Sequence, residues 1–166
     1  VDELDYDPVF LERFPEDGLI NDTVTFLHSS KEFHWNERWH FDDKSALWNF
    51  NLHYFEFLFS LVGAYRKTGD KKFLEKSIET IRGWINQNPK GDGGEGWSPY
   101  TIDLRLTNWL GYYAAVHTEL DDDFQSLFIN SIHEQYEFLS RHLEKDILGN
   151  HYFEDLKALV LCALFF

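Results

Sequence analysis

Helices that are apolar on most sides alternate along this chain with helices that are apolar on one side only. Residues 46–67, 101–118 and 150–166 belong to the first kind, and residues 71–87 and 124–144 belong to the second. A helix that is hydrophobic all round has to be buried, whereas an amphipathic helix covers a core and faces water. The pairs repeat about every 45 residues, a period typical of stacked helical hairpins. We therefore predict an all-α fold whose hairpins form an inner and an outer ring.

The beginning of the chain does not share this pattern. Residues 1–44 show no helical period, although residues 23–27, Thr-Val-Thr-Phe-Leu, alternate in the manner of a short strand. The three histidines of this stretch follow no zinc-binding spacing, and we interpret them as surface or packing residues. We divide the chain into an irregular N-terminal arm, residues 1–44, and a helical domain, residues 45–166.

The two ends of the chain suggest that it continues in both directions. The last predicted helix is apolar from Ala158 onward and finishes at Phe166 without a glycine or a basic residue. Such a helix is expected to pack against later elements. The start carries neither a methionine nor a signal peptide. We expect a fragment of a longer protein, truncated at its C-terminus.

Charge and cysteine content exclude several classes of protein. The 29 acidic and 15 basic residues give a net charge of −14, whereas a nucleic-acid-binding protein needs a basic face. The sequence predicts no membrane span. Cys162 is the single cysteine, so an intrachain disulfide is excluded, and we interpret this residue as a small buried hydrophobe.

Aromatic residues are unusually frequent, at 18% of the chain with 16 Phe, 8 Tyr and 6 Trp. This share is typical of surfaces that stack on flat, amphipathic ligands such as sugar rings. Packing in the core is the alternative, and it could account for most of these residues.

The polar residues of the first apolar helix, residues 46–67, form one narrow stripe. The stripe consists of Asn49, His53, Glu56 and Ser60, with Asn51 and Tyr54 beside it. Leaving such groups buried without partners would cost about 1 to 3 kcal/mol each. The stripe therefore faces either an internal hydrogen-bond network or a cleft.

A glycine-rich loop, residues 90–96, leads directly into Trp97-Ser98-Pro99-Tyr100. Its four glycines indicate a mobile surface segment, and the two aromatic residues at its edge suggest that a flat ligand is gripped there. The alternative is a loop whose Trp97 folds back on the core. Both interpretations remain open at this point.

The second apolar helix carries Arg105 and Asn108 among large apolar residues, including Trp109. A buried arginine needs an anion. Asp103 or a helix end could supply it from within, and a ligand carboxylate could supply it from outside.

Three hydrogen-bonding residues lie at the start of the last helix: Asn150, His151 and Glu154. Helical spacing places them at one end of an otherwise apolar element. One interpretation is a helix cap, with Asn150 as the N-cap and Glu154 paired with Lys157. The other is a ligand site in a cleft formed by the ends of the inner helices.

Several short blocks of residues occur together in this chain in a fixed order. They are WNFNLHYF at 48–55, TGD at 68–70, GWSPY at 96–100, LRLTNW at 104–109, LGNH at 148–151, KAL at 157–159 and LFF at 164–166. As a set they resemble the N-terminal domain of the heparinase II/III family of polysaccharide lyases, over about residues 23–166. The resemblance implies an incomplete α/α toroid of helical hairpins, followed in the full-length protein by a β-sandwich domain.

This resemblance also implies a chemistry. A lyase removes the proton next to the carboxylate of a uronic acid and expels the glycosidic oxygen from the neighbouring carbon. Asn150 and His151 match the asparagine and histidine that neutralise this carboxylate in relatives, and Glu154 is expected to support them or to contact the substrate. The proton-handling tyrosine of the family lies downstream of this chain, and none of its own tyrosines can be carried over to that role. We therefore expect the fragment alone to be inactive and the full-length protein to be a lyase.

The expectations for the site and its ligands follow from the cleft and the resemblance together. No metal or other cofactor is expected in this part of the chain. The partners expected are an acidic polysaccharide, the remainder of the toroid and the β-sandwich domain, and the location implied is a bacterial periplasm or exterior. Besides the catalytic Asn150 and His151, the predicted substrate-binding residues are Asn51, His53, Tyr54, Trp97, Tyr100, Arg105, Asn108, Trp109 and Glu154.

Two other functions remain open. An α/α-toroid glycoside hydrolase would need two opposed carboxylates, for which Glu56 and Glu154 are the candidates. A carbohydrate-binding or scaffold module would need no catalytic groups. Within the lyase interpretation the glycan stays open among heparan sulfate-like, alginate-like and capsular types, and the acidic charge disfavours the most heavily sulfated.

Overall fold

The computed structural model describes residues 11–91, 93–147 and 149–166. These residues form a short helix, a two-stranded hairpin and then a series of longer helices with two 3₁₀ turns, at Glu95–Trp97 and His117–Glu119. The elements are α1 (Glu16–Ile20), β1 (Thr23–Phe26), β2 (Ser29–Glu32), α2 (Ala46–Leu52), α3 (Leu58–Thr68), α4 (Lys71–Gln87), α5 (Pro99–Val116), α6 (Asp122–Arg141) and α7 (His151–Phe165).

The longer helices pack in two rows. Helices α3, α5 and α7 contact one another in sequence as the inner row, while α4 contacts α6 in the outer row. The pairs α3–α4, α5–α6 and α6–α7 join the two rows. The predicted alternation of inner and outer helices is confirmed, because the helices that are apolar on most sides occupy the inner row.

Helix α7 is covered on one side only. Ala158 and Cys162 are buried against the neighbouring helices, and Cys162 is a free buried thiol as expected. The opposite side of the helix is exposed, most strongly at Leu164, Phe153 and Val160. This face gives the described part of the chain its largest group of exposed apolar side chains.

The single helix predicted over residues 46–67 is wrong. The structure has two helices there, α2 and α3, separated at residues 53–57 where Phe55 adopts a left-handed backbone with φ of 63°. Such a φ is unfavourable for a bulky side chain. The Phe55 ring is nonetheless completely buried, stacked at 5.4 Å on Trp39 and packed edge-on against Trp109 at 5.2 Å. Tertiary packing therefore breaks a helix that carries neither glycine nor proline at that point.

Side-chain caps fix the starts of three helices. The hydroxyl of Ser45 accepts a hydrogen bond from the Trp48 amide at 3.2 Å, which confirms the predicted N-cap of α2. Asp70 and Asp121 cap α4 and α6 in the same way. Acidic residues follow Asp121 in the first turn of α6, where they favour the positive end of the helix dipole. These aspartates mark a helix start, as predicted.

The arm holds more regular structure than the sequence indicates. The predicted strand is present as β1, but its antiparallel partner β2 and the preceding α1 were not predicted. The hairpin turn consists of Leu27 and His28, both with positive φ, in place of the Asn-Gly type of sequence that announces such a turn. Residues 1–10 of the predicted arm lie outside the described residues.

The core contains most of the large aromatic residues. All six tryptophans are buried, and several pack around Phe55 and Phe57 where the arm meets α4 and α5. Core packing, the second interpretation of the aromatic content, therefore accounts for every tryptophan. Tyr54 and Tyr100, which are partly exposed, belong to the side-chain cluster described below.

Candidate functional site

Three aromatic rings from three separate elements meet at one end of the inner row. His151, the first residue of α7, stacks on Tyr100 of α5 with ring centroids 4.1 Å apart and planes inclined by 28°. Tyr54, from the link between α2 and α3, meets Tyr100 edge-on at 6.2 Å. All three side chains are partly exposed. The structure thus brings together residues that are 97 positions apart in the sequence, from Tyr54 to His151.

Asn108 holds the Tyr54 side of this cluster. Its amide nitrogen donates to the backbone carbonyl of Tyr54 at 2.7 Å. The link between α2 and α3 has i→i−3 hydrogen bonds, such as those from the His53 and Tyr54 amides, and the contact from α5 gives the Tyr54 carbonyl a partner as well. Asn108 therefore positions the link from beneath and remains partly exposed.

His151 is held from the other side by a carboxylate. Its Nδ1 lies 3.0 Å from Oε2 of Glu144, a residue of the segment between α6 and α7. The histidine side chain is 33% exposed and that of Glu144 is 14% exposed. A proton on Nδ1 that is donated to Glu144 leaves Nε2 as the nitrogen that can bind or exchange a proton with a ligand.

Asn150 precedes His151 at the N-cap position of α7, and its side chain is exposed. Its backbone carbonyl accepts from the Glu154 amide at 2.9 Å, but its side chain makes no capping hydrogen bond. Of the interpretation as a helix cap, the side-chain cap by Asn150 is therefore wrong, while the ion pair between Glu154 and Lys157 is present. The Asn150 amide is left available to a ligand. Leu148, two residues earlier, lies outside the described residues.

Arg105 is buried below this cluster and binds neutral groups. Its guanidinium donates to Oε1 of Gln135 at 2.8 Å, to the Gly96 carbonyl at 2.8 Å and to the His53 carbonyl at 3.3 Å. It also lies 3.9 Å from the centroid of the Trp84 ring, a cation–π contact. Burial lowers the pKa of this guanidinium well below its ordinary value. Of the alternatives, the partners within the chain apply: the His53 carbonyl lies at the C-terminal end of α2, and the charge of Asp103 acts on Arg105 without a direct ion pair among the described residues.

His53 lies in the same buried network. Its Nε2 is 2.9 Å from the Trp39 carbonyl, and its Nδ1 accepts a hydrogen bond from the Trp84 indole at 2.9 Å. Both ring nitrogens are therefore occupied. Burial, and next the nearby charge of Arg105, lower the pKa of His53 to about 3. The ring is neutral at physiological pH.

The rest of the predicted polar stripe divides between core and surface. Asn49 bridges the backbone N–H and C=O of Phe41, so this end of the stripe belongs to an internal network. Asn51 bonds the carbonyl of Leu47 in its own helix and, with Glu56, lines a separate cleft of about 490 Å³. Burial raises the pKa of Glu56, and the charge of Arg13 opposes that shift.

The two aromatic residues beside the glycine loop point to different places. Trp97 is buried, donates from its indole to the Asn88 carbonyl at 3.0 Å and packs on Phe138 at 5.2 Å. Tyr100 instead meets His151. The interpretation of a tryptophan folded back on the core thus applies to Trp97, while a ligand contact at Tyr100 stays a prediction. Trp109, on the next turns of α5, is completely buried in the core.

Sequence reasoning missed two residues that support His151, namely Glu144 and Asp155. Asp155 is completely buried on α7, and its Oδ2 accepts a hydrogen bond from the Glu144 amide at 2.8 Å. It faces Asp103 of α5, which is also completely buried. The signal was present, since Asp155 shares a helical stripe with Ala158 and Cys162 and so occupies a core position.

The described residues include neither a metal-binding cluster nor a membrane-spanning helix. Within residues 11–91, 93–147 and 149–166, no group of three or more His, Cys, Asp or Glu side chains could hold a metal ion. In the same part of the chain, no helix is both long enough and apolar enough to span a bilayer.

Comparison with known proteins identifies relatives of this chain. The family model described as Heparinase II/III N-terminus matches residues 12–166. A heparin-sulfate lyase of Bacteroides thetaiotaomicron is 30% identical over 135 residues, which make up 79% of this chain and 18% of that protein. A heparin-sulfate lyase of Pedobacter heparinus is 24% identical over 132 residues, 76% of this chain and 19% of that protein. The chain thus spans about a fifth of the length of these curated relatives.

Solved structures share the fold. A crystal structure of a heparan sulfate lyase mutant from Pedobacter heparinus matches 96% of this chain and 26% of its own, with a TM-score of 0.83 and 19% identity. A heparinase III structure matches 99% of this chain and 29% of its own, with the same TM-score and identity. At this identity the likeness establishes the fold alone, the first part of an all-α toroid. Together with the family match over residues 12–166, it shows that the chain belongs to the heparinase II/III family, as part of its N-terminal region.

Proposed function

We propose that the full-length protein is a polysaccharide lyase that cleaves uronic-acid-containing glycans by β-elimination, with Asn150 and His151 at its catalytic site. Family membership and relatives named heparin-sulfate lyases support this proposal. The observation that carries it is the arrangement at the start of α7. An exposed Asn150 amide lies next to a His151 ring that is stacked on Tyr100 and anchored through Nδ1.

The chemistry requires one charge to be neutralised before one proton can leave. Removing the proton on the carbon next to the uronate carboxylate places extra negative charge on that carboxylate. Hydrogen-bond donors fixed at this position stabilise the charge as it develops. The Asn150 amide can donate to one carboxylate oxygen, and the His151 imidazole can donate to the other through Nε2 when it is protonated there.

The elimination then balances without water. The C–H electron pair forms the new carbon–carbon double bond, and the bond to the glycosidic oxygen breaks with its electron pair. A base takes the first proton and an acid returns a proton to the leaving oxygen. We assign neither the role of base nor that of acid to Tyr54 or Tyr100. We propose instead that a tyrosine from a later part of the full-length protein handles the protons.

The residues around this centre divide by exposure. We propose that Tyr54 and Tyr100 offer aromatic surface to a sugar ring, and that Asn51, Asn108 and Glu154 contact its hydroxyl groups. His53, Trp97, Arg105 and Trp109 are buried. We propose that these four act on the substrate through the shape of the site, because their polar atoms are directed into the core.

Later elements complete the proposed enzyme. The exposed apolar face of α7 supports a toroid that continues beyond this chain, and we propose that a β-sandwich domain follows it. On this proposal residues 1–166 alone are inactive. The glycan is of the heparan sulfate, alginate or capsular type, and the periplasmic or extracellular location stays a prediction.

The test is the ultraviolet absorbance of unsaturated uronate, followed while the full-length protein is incubated with acidic polysaccharides. We expect a rise with one glycan class, and its loss in Asn150→Ala and His151→Ala. His34→Ala is the matched control, because that side chain is exposed and belongs to the arm. New reducing ends without absorbance would instead indicate a hydrolase. Binding without cleavage across the panel would indicate a binding module.

A further inference from the structure

Asp103 of α5 and Asp155 of α7 form a carboxyl pair with no exposed surface. The two side chains face each other between the helices at hydrogen-bonding range. Within the described residues, no N–H or O–H group donates to either oxygen of Asp103 or to Oδ1 of Asp155. Two ionised carboxylates in contact would repel each other strongly in such a medium.

A single proton removes this conflict. If Asp103 is protonated, its O–H group donates to Oδ1 of Asp155, and both acids gain a partner. The environment favours that state, since burial and the charges of Asp155 and Glu154 raise the pKa of Asp103 to about 9. Burial also raises the pKa of Asp155. Paired carboxyl groups that share one proton are known to behave in this way.

The pair is connected to the candidate site through one residue. Oδ2 of Asp155 accepts the backbone N–H of Glu144 at 2.8 Å. The Glu144 side chain in turn holds Nδ1 of His151 at 3.0 Å. Asp155 thus fixes the backbone from which the anchor of His151 projects.

We propose that Asp103 and Asp155 are positioning residues that share one proton and, through the Glu144 amide, hold the Glu144 carboxylate where it orients His151. The catalytic part of this inference rests on the function proposed above. Loss of the shared proton leaves two buried negative charges, which separate α7 from α5 and release the Glu144 segment. The titratable and charged groups that face the pair are Tyr54, Arg105, Glu144, His151, Glu154 and Lys157.

The experiment compares three substitutions in the full-length protein. Asp155→Ala removes the acceptor of the Glu144 amide, whereas Asp155→Asn keeps an oxygen there. Asp103→Asn replaces the shared proton by a permanent amide donor. Asp123→Asn, an exposed residue in the first turn of α6, is the matched control. The readouts are kcat and KM for glycan cleavage, the ¹⁵N shifts of the His151 ring and the pH dependence of Tm.

We expect Asp155→Ala to lower kcat at least about tenfold with KM changed less than about twofold, since orientation and not binding is lost. Its His151 ¹⁵N shifts should change, and Asp155→Asn should restore both. Asp103→Asn should keep kcat within about twofold and remove the fall of Tm between about pH 7 and pH 9. The Asp123→Asn control should match the unsubstituted protein throughout.

Unchanged kcat and His151 shifts in Asp155→Ala would overturn the positioning role. An unchanged alkaline fall of Tm in Asp103→Asn would overturn the shared proton. If Asp155→Ala does not fold, Glu144→Gln decides the link, because full kcat in that variant contradicts it and a lowered kcat at unchanged Tm supports it. A protein that cleaves no glycan, yet shows the expected His151 shifts and Tm behaviour, would contradict the proposed function and leave the positioning intact.

Discussion

His53 and His151 each contact a residue of α5, Arg105 and Tyr100 respectively, and their surroundings are opposite. His53 is 2% exposed, and both of its ring nitrogens are engaged, by the Trp39 carbonyl and the Trp84 indole. His151 is partly exposed, has one nitrogen on Glu144 and stacks an open ring on Tyr100. Both residues belong to polar sets that the sequence assigns to a cleft.

The comparison separates groups that hold the fold from groups that can meet a ligand. The region around His53 and Arg105 has its donors satisfied by carbonyls, an amide oxygen and aromatic faces, so changes there should reduce stability. The region around His151 keeps unused hydrogen-bonding capacity, so changes there should reduce activity. The following predictions test this division, beginning with the largest effect.

Arg105→Ala should give the largest loss of stability. The substitution leaves the Gln135 side chain and the carbonyls of His53 and Gly96 without their donor, and it opens a cavity beside Trp84. We expect the free energy of unfolding to fall by about 4 kcal/mol, measured by urea denaturation. Arg141→Ala, at an exposed ion pair, should change it by less than about 0.5 kcal/mol. Equal effects of the two substitutions would contradict the division.

Asn150→Ala should give the opposite result. Its side chain is exposed and makes no capping hydrogen bond, so we expect Tm to stay within a degree or two. Loss of one donor to the developing charge should lower kcat about a hundredfold, which corresponds to about 2.7 kcal/mol. Glycan cleavage by the full-length protein provides the measurement. A drop in Tm with unchanged kcat would place Asn150 among the structural groups.

The two regions should also respond to pH with opposite signs. Because burial lowers the pKa of His53 to about 3, the unfolded chain binds the extra proton, and stability falls as the pH falls from about 6.5 towards 3. Because burial raises the pKa of Asp103 to about 9, the folded chain binds the extra proton, and stability falls as the pH rises from about 4 to 9. Each slope is at most about 1.4 kcal/mol per pH unit.

The two slopes cancel between about pH 4 and pH 6.5. Substituting Asp103 should therefore reveal the pH dependence due to His53, and substituting His53 should reveal the pH dependence due to Asp103. In Asp103→Asn, the free energy of unfolding should rise with pH up to about pH 6.5 and stay constant above it. In His53→Gln, the free energy of unfolding should fall from about pH 4 to pH 9, even if this variant is less stable at every pH. Denaturation at a series of pH values is the measurement, and parallel curves for both variants would refute the assignment.

Tyr100 should give the smallest effect. Tyr100→Leu removes the ring that stacks on His151, and we expect KM to rise about fivefold, or about 1 kcal/mol. Tyr100→Phe keeps the ring and should bind nearly as well as the unsubstituted protein. Equal KM values for all three proteins would show that no sugar ring contacts this surface.

Much of the fold follows from the sequence because helical periodicity and caps are local signals. Ser45, Asp70 and Asp121 each cap the helix that the pattern predicts. The interruption at Phe55 could not be found this way, since the aromatic rings that hold it come from residues 16 positions earlier and 54 positions later, Trp39 and Trp109. Contacts between residues so far apart in the sequence do not alter the local hydrophobic periodicity.

The sequence indicated which types of residue belong to the candidate site, but it did not indicate as well which way their side chains point. Asn150 and His151 stand out as polar residues at the start of an apolar helix, whereas Trp97 and Tyr100 differ only in which way the chain turns them. Arg105 shows a further difficulty, because the guanidinium bonds a helix-end carbonyl, one of the alternatives that the sequence left open, together with the Gly96 carbonyl and an indole face that the sequence did not indicate. Composition does not reveal such backbone partners.

The positive φ at Phe55 has a consequence for how far the neighbouring part of the candidate site can move. Tyr54 is partly exposed and contacts Tyr100, and Phe55, its direct neighbour, is completely buried in the core. Local opening of the chain at Tyr54 would have to extract the Phe55 ring, so its free energy should approach that of global unfolding. Amide hydrogen exchange at His53 and Tyr54, whose N–H groups donate to the Phe50 and Asn51 carbonyls, should accordingly be as slow as in the helices on either side. We therefore expect this part of the candidate site to be rigid, so that a ligand finds it already formed.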